Sequence, residues 1–277
     1  MSDREQAENR LNRQFIYEKL PEPMQNKLSS LCVFESVTST NGYVLKKGQW
    51  ADNKFIACIA NQQTEGRGRN GKEWVSPPDA NIYLSLGKVF DATSMDKIRG
   101  LSLACGVAIA RLLYSMGIKV GIKWPNDIWF KGKKLAGILV ETRAKEDQLM
   151  IVVGVGLNVN MPSQHDEKID QPWVDLKYAL EATEMSNTAL ILDRNLWAAE
   201  LLNELMACLL QYDLTGFNSF ESDWTKYDIL TSRNVTINTG AEELNAKVLG
   251  INKDCSLKVE INHHEKSFYA ADITLKI

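Results

Sequence analysis

The chain has 277 residues, 44% hydrophobic and 24% charged; this is the balance of a globular protein long enough for one large unit and a small one. Its formal net charge of -3 argues against a generic nucleic-acid binder, which needs a basic surplus. No apolar run reaches the roughly 20 residues that span a bilayer, the start Met1-Ser2-Asp3-Arg4-Glu5 lacks a signal-peptide core, and five scattered cysteines (Cys32, Cys58, Cys105, Cys208, Cys255) read as reduced thiols of a cytoplasmic protein.

Residues 1–30 read as an amphipathic helical arm. Leu11, Phe15, Ile16 and Leu20 recur at helical spacing, and Pro21 and Pro23 end the run. The arm is too short for a winged helix-turn-helix reader of DNA. Leu31-Cys32-Val33-Phe34 reads as a strand. It leads into Ser39-Thr40-Asn41, where Ser39 or Thr40 caps a short helix to Lys46. Small hydroxyls and amides gathered there suit a neutral polar ligand such as a urea or amide.

Phe55 to Ala60 reads as a buried strand. The stretch after it, Gly66-Arg67-Gly68-Arg69-Asn70-Gly71-Lys72-Glu73-Trp74, is the most informative in the chain. Its glycines permit φ > 0 and close approach of a ligand. Its arginines and lysine supply cationic donors for phosphate or carboxylate. Gly66, Gly68 and Gly71 match the dinucleotide fingerprint letter for letter, but Pro77 and Pro78 forbid the helix that motif requires. A Walker A loop fails as well, because Glu73 stands where Ser or Thr should hold Mg²⁺.

Ala80 to Leu86 alternates as a strand. Thr93 or Ser94 then caps a largely apolar helix from Met95 to Met116, stopped by Gly117. In Lys123-Trp124-Pro125-Asn126-Asp127 the proline interrupts an apolar strand, and Asn126 and Asp127 fall just beyond it. Lys131-Gly132 is a hairpin turn whose return strand begins at Lys133, so Lys134 is placed near Asp127 across the hairpin. Gly137 marks a close approach by a ligand or another backbone. A strand from Gln148 to Asn160 carries Gly154 and Gly156, which suit a flat ligand against the backbone, with Asn158 and Asn160 offering amides. Met161 to Lys177 is loop-like, Leu176 to Ala182 a short helix, Leu190 to Leu214 a long helix, and Gly216 to Trp224 another. From about Asp228 the pattern changes to short β segments, at Val235–Ile237, Ala246–Leu249, Leu257–Val259 and Phe268–Ala270, which read as a small barrel. The expected division is an arm over 1–30, a catalytic unit over 31–228 and a barrel over 229–277.

In order along the chain, Ser39-Thr40-Asn41, Gln63 with Gly66-Arg67-Gly68-Arg69 and Trp74, Lys123 to Asp127, Lys134 to Glu141, and Gly154-Val155-Gly156-Leu157-Asn158 resemble the biotin–protein ligases, also called biotin–[acetyl-CoA-carboxylase] ligases. The resemblance runs from about Phe34 to the C-terminus. It implies an α+β fold: a central mixed β-sheet flanked by helices, of the class II synthetase-like kind, followed by a small C-terminal β-barrel. It implies activation of biotin by MgATP as biotinyl-5′-adenylate, then transfer to a lysine of a biotin carboxyl carrier domain, with no tightly bound metal.

The resemblance also assigns roles. Ser39, Thr40, Asn41 and Gln63 would contact the ureido ring, and the backbone at Gly154 and Gly156 would wall the bicycle. Arg67, Gly68 and Arg69 would close over the adenylate, with Arg67 near the carboxylate and phosphate. Lys134 would be the cation at their junction. Asp127 would orient Lys134, assist Mg²⁺ or take the proton of the incoming amine. Arg69, Lys72, Trp74 and Asn158 fall on the nucleotide side. Some relatives place an arginine where Lys276 stands; lysine keeps the charge and loses the bidentate fork.

The short N-terminal arm favours a monofunctional ligase that binds neither DNA nor membrane. Exposed strand edges leave room for a homodimer. The competing readings are a lipoate or octanoate ligase of the same fold, a biotin-responsive DNA-binding regulator, and a biotin-binding module without activity.

Overall fold

The computed structural model describes residues 10–47, 54–91, 98–145, 148–162, 169–183, 192–270 and 274–276. Helix α1 (Arg13–Lys19) starts at Asn12, whose side chain accepts from the Phe15 amide, and it buries Ile16. Leu20 behind it is also buried, so the expected apolar stripe is the docking face. A four-residue helix, α2 (Glu22–Gln25), leads into strand β1 (Leu28–Val37). Ser39 is the cap of α3 (Thr40–Lys46), its hydroxyl accepting from Gly42 N at 3.3 Å.

Strands β2 (Phe55–Gln63), β3 (Asn81–Asp91), β4 (Gly121–Lys123), β5 (Asp127–Phe130), β6 (Lys133–Lys145) and β7 (Gln148–Asn158) complete a seven-stranded sheet in the order β1-β2-β3-β7-β6-β5-β4. Only β1 and β2 run parallel. A parallel pair needs a crossover, and α3 is that crossover. The β5–β6 turn is Lys131-Gly132 as expected, with φ of 45° and 79°, both in the left-handed region favoured by tight hairpins.

Side chains alternate between the two faces of a strand, and here the faces differ in chemistry. Ala57 and Ile59 of β2, Ile82, Leu84 and Leu86 of β3, and Ile151, Val153 and Val155 of β7 join the main core. They pack with α4 (Leu101–Ser115) and α6 (Arg194–Thr215), which bury most of their apolar residues. Among the described residues the opposite face has a smaller cluster, in which Val44 of α3 packs on Ile56, Cys58 and Val152. Beyond it that face carries Ser85, Gly154, Gly156 and Asn158.

Helix α4 begins at Leu101 behind Gly100 rather than at Met95, after a single 3-10 turn at residues 98–100. The expected caps Thr93 and Ser94 lie outside the described residues. Gly117, at φ 80°, ends the helix as expected. The short helix is α5 (Leu176–Glu181), capped by Asp175. The segment after α6 is a 3-10 helix (Gly216–Phe220) followed by α7 (Glu221–Tyr227), not one continuous helix.

The tail after Asp228 forms a second, five-stranded antiparallel sheet of β8 (Asn234–Asn238), β9 (Glu243–Ile251), β10 (Leu257–Ile261), β11 (His264–Phe268) and β12 (Thr274–Lys276), in the order β11-β10-β9-β8-β12. The fourth strand sits earlier than the sequence suggested, because Asn262 and His263 adopt φ of 50° and 63° and make the turn themselves. Trp124 Nε1 donates to Cys255 O at 3.1 Å, joining the two sheets. All five cysteines are free thiols.

Candidate active site

The polar wall of the site grows from the start of α3 and the end of β2. Gln63 Oε1 accepts from Thr40 N at 2.9 Å and from Thr40 Oγ1 at 3.1 Å. Gln63 Nε2 donates to Ser76 Oγ at 3.1 Å, and that hydroxyl donates to Trp74 O at 2.8 Å. From the floor, Ser85 Oγ lies 2.7 Å from Thr40 Oγ1 and 2.6 Å from Asn41 Oδ1, so its single proton serves one at a time. Ser39, Thr40 and Asn41 are all buried.

Asn41 Nδ2 donates to Glu141 Oε2 at 2.8 Å and to Leu139 O at 3.3 Å. Both donor hydrogens are therefore committed to the protein, which leaves this amide only acceptor capacity for a ligand. Gly154 and Gly156 lie against protein side chains. A Cβ at Gly154 would run into the Asn41 side chain, and one at Gly156 into the Trp74 indole; at Gly137 it would come within 2.8 Å of Trp74 Cζ3. The glycines admit flat protein side chains, and through them shape the cavity. Trp74, expected on the nucleotide side, lies across β6 and β7 with its ring centroid 5.1 Å from Lys134 Nζ, and its Nε1 is buried without a protein partner.

The Gly/Arg stretch folds back on itself. Trp74 N donates to Gly66 O at 2.9 Å and Gly68 N to Lys72 O at 2.7 Å, around a three-residue 3-10 turn (Arg69–Gly71) with Asn70 at φ 55° and Gly71 at φ 74°. No helix follows the turn, as the prolines required. Three cations anchor it at separate points. Arg67 Nη2 pairs with Glu141 at 3.0 Å. Arg69 donates to Asn126 Oδ1 at 3.2 Å and to the Ala270 carbonyl in the turn after β11. Lys72 pairs with Asp170 at 2.6 Å. Burial disfavours the charged form of Arg69, with Asp127 opposing it.

Across the cavity Lys134 Nζ is 2.8 Å from Asp127 Oδ1, with both side chains mostly buried. The hairpin thus makes the pair the sequence anticipated. Lys123, whose pKa is lowered by burial against the pull of Asp127, faces the same carboxylate and stacks its ammonium 4.6 Å from the Trp129 ring. The backbone of Lys134 is extended outward: its N–H donates to Pro172 O and its carbonyl accepts from Val174 N, each at 2.9 Å. Residues around Trp173 therefore form a wall beside Lys134, where the sequence suggested only loop. Asn158 Nδ2 holds the Val174 carbonyl at 3.1 Å, so it supports that wall.

These elements enclose a cavity of about 390 Å³, within the usual range for small-molecule sites. Ser39, Thr40, Asn41, Gln63, Arg67, Gly68, Arg69, Lys72, Trp74, Asp127, Lys134, Gly154, Gly156 and Asn158 all line it. The site residues singled out from sequence thus come together in one place. Sequence reasoning missed Ser85, Glu141, Asp170 and Trp173. Glu141 closes one of the quoted motifs, whereas Ser85 is hidden in an apolar strand and gave no signal. The side chain of Lys276 lies outside the described residues. The lining has a neutral hydroxyl and amide pole and a charged pole, where Arg67, Arg69, Lys72, Lys123 and Lys134 outnumber Glu73, Asp127 and Asp170.

The cavity joins a neutral hydrogen-bonding pole to a cationic one, as a small ligand with one polar and one anionic end would require. The Biotin/lipoate A/B protein ligase family pattern matches residues 33–158. The bifunctional ligase/repressor BirA of Escherichia coli is 36% identical over 270 residues, covering 93% of this chain and 80% of that protein. The biotin–[acetyl-CoA-carboxylase] ligase of Mycobacterium tuberculosis is 36% identical over 188 residues, 66% of this chain and 65% of that one. The fold matches that of a biotin protein ligase from Aquifex aeolicus in complex with biotin and ATP, with a TM-score of 0.71 at 24% identity, over 90% of this chain and 99% of that one. The chain belongs to the biotin/lipoate A/B protein ligase family and, within it, to the biotin–protein ligases.

Proposed function

We propose that this cavity carries out both half-reactions of protein biotinylation, in the cytoplasm, on a lysine of a biotin carboxyl carrier domain. In the first, a biotin carboxylate oxygen attacks the α-phosphorus of ATP, forming the acyl-adenylate and releasing pyrophosphate. In the second, the carrier amine attacks the acyl carbon, the bond to AMP breaks, and the amine loses its proton. The observation that carries this reading is the Lys134–Asp127 pair, which lines the cavity together with Arg67, Arg69, Lys72 and Lys123.

Two anions must approach each other in the first step, so cationic donors at their junction lower the barrier. Lys134 serves there. Arg67, Arg69 and Lys72 surround the remaining phosphate charge. Asp127 keeps Lys134 aimed and is the acceptor suited to the amine proton in the second step. Ser39, Thr40 and Gln63 form the neutral end for the ureido ring, and the Trp74 indole covers the ligand between the two ends. Among the described residues no group of three or more His, Cys, Asp or Glu could hold a metal by itself. Mg²⁺ bound to ATP would need only one or two protein carboxylates, and Asp127 fits that use. The Mg²⁺ supplies charge neutralisation on the phosphates.

The test is biotin-dependent exchange of labelled pyrophosphate into ATP, with lipoate and octanoate in parallel. Exchange with biotin alone is expected. Exchange only with lipoate or octanoate would move the chain to another branch of the family, and silence with all three would leave a binding module.

A further inference from the structure

We propose that Glu141 is a positioning residue for biotin capture, tying the start of α3 to the first arginine of the Gly/Arg turn; this rests on the biotinylation reading above. Its carboxylate accepts from Asn41 Nδ2 at 2.8 Å on one oxygen and from Arg67 Nη2 at 3.0 and 3.1 Å on both. No other side chain among the described hydrogen bonds joins these two segments directly. Asn41 belongs to the neutral wall and Arg67 to the basic turn, so one carboxylate on β6 sets the spacing between the two poles of the cavity.

The geometry supports positioning over stability. Arg67 and Glu141 side chains are 47% and 28% exposed, and an ion pair that open to water contributes little to folding. Arg67 reaches across the first turn of α3, with its Nη2 3.7 Å from where a Cβ of Gly42 would stand. It can hold that path only while an acceptor waits at its far end. The Asn41 amide is similarly placed: its Oδ1 meets Ser85 while Glu141 draws its Nδ2, which fixes the orientation of the wall. Neutralising Glu141 leaves a permanent cation to wander and loosens the amide beside it.

The experiment is pyrophosphate exchange, with biotin varied at saturating ATP, in the full chain and in Glu141→Gln, Arg67→Ala and the double variant, together with thermal melting. Glu141→Gln is expected to raise the KM for biotin about tenfold, as loss of a charge-assisted hydrogen bond would, with kcat and Tm essentially unchanged. The double variant is expected to raise KM by less than the product of the two single effects, since the Arg67–Glu141 contact is lost in each. An unchanged KM in Glu141→Gln would overturn the proposal. So would KM effects that multiply in the double variant, or a loss confined to Tm. Failure of the unaltered chain to exchange with biotin would instead remove the underlying reading.

Discussion

The two faces of the seven-stranded sheet are built from the same strands and have opposite purposes. On one, Ile82, Leu84 and Leu86 of β3 interleave with Ile151, Val153 and Val155 of β7 under α4 and α6. On the other, the alternate positions are Ser85, Gly154 and Gly156, and they leave room for a cavity. One face removes apolar area from water, the main source of stability. The other gives that up: its glycines bury little, and its polar side chains satisfy one another. The period-two alternation of a strand lets a single sheet be core and site at once, with stability and activity assigned to different residues.

That separation can be broken by substitution. Lys134→Ala on the site face should lower pyrophosphate exchange about 10²–10³-fold, the usual loss on removing one oxyanion-stabilising group, while Tm stays nearly constant; an unaltered exchange rate would remove Lys134 from the chemistry. Leu84→Ala on the core face, where the side chain is wholly buried, should cost about 2–5 kcal/mol in chemical denaturation and leave the specific activity of folded protein unchanged. A large fall in kcat would show that the faces are coupled. Gly156→Ala should push the Trp74 indole out of its seat and raise the KM for biotin by about tenfold, a contact worth roughly 1–2 kcal/mol; equal KM values would mean that the indole does not meet the ligand.

The smallest effect concerns pH. Burial lowers the pKa of Lys123 below the ordinary lysine value, so between its folded and unfolded pKa the unfolded chain binds more protons. Stability contributed by this group therefore rises with pH through that window, up to 10.5. Lys123→Met should flatten the rise of Tm with alkaline pH relative to the unaltered chain. Parallel curves would mean that Lys123 titrates alike in both states.

Local chemistry made much of this legible. The cap at Ser39, the turn at Lys131-Gly132 and the stop at Gly117 each depend on neighbours within a few residues, and each holds in the structure. The Asp127–Lys134 pair was legible because both residues sit close to one tight hairpin turn, although a register shift sets Lys134 opposite Trp129 and Asp127 opposite Gly137. What could not be read depends on distant partners. Glu141 meets Arg67 and Asn41 from remote segments. Trp173 borders Lys134 through pairing between a loop and a strand start. Gly156 announced a close approach, but nothing nearby identified the Trp74 ring as the approaching group.

The pairing of β3 with β7, from Asn81↔Asn158 to Asp91↔Gln148, also bears on how the cavity comes into being. The α3 wall belongs to a local crossover between β1 and β2, and Asp127 and Lys134 to a local hairpin. Each can nucleate from nearby contacts, which carry the least loop-closure entropy. The two poles face one another only after β3 finds β7, the least local step in the sheet. Neither half alone encloses the cavity, which is lined from both, so the site is a product of the longest-range pairing in the sheet.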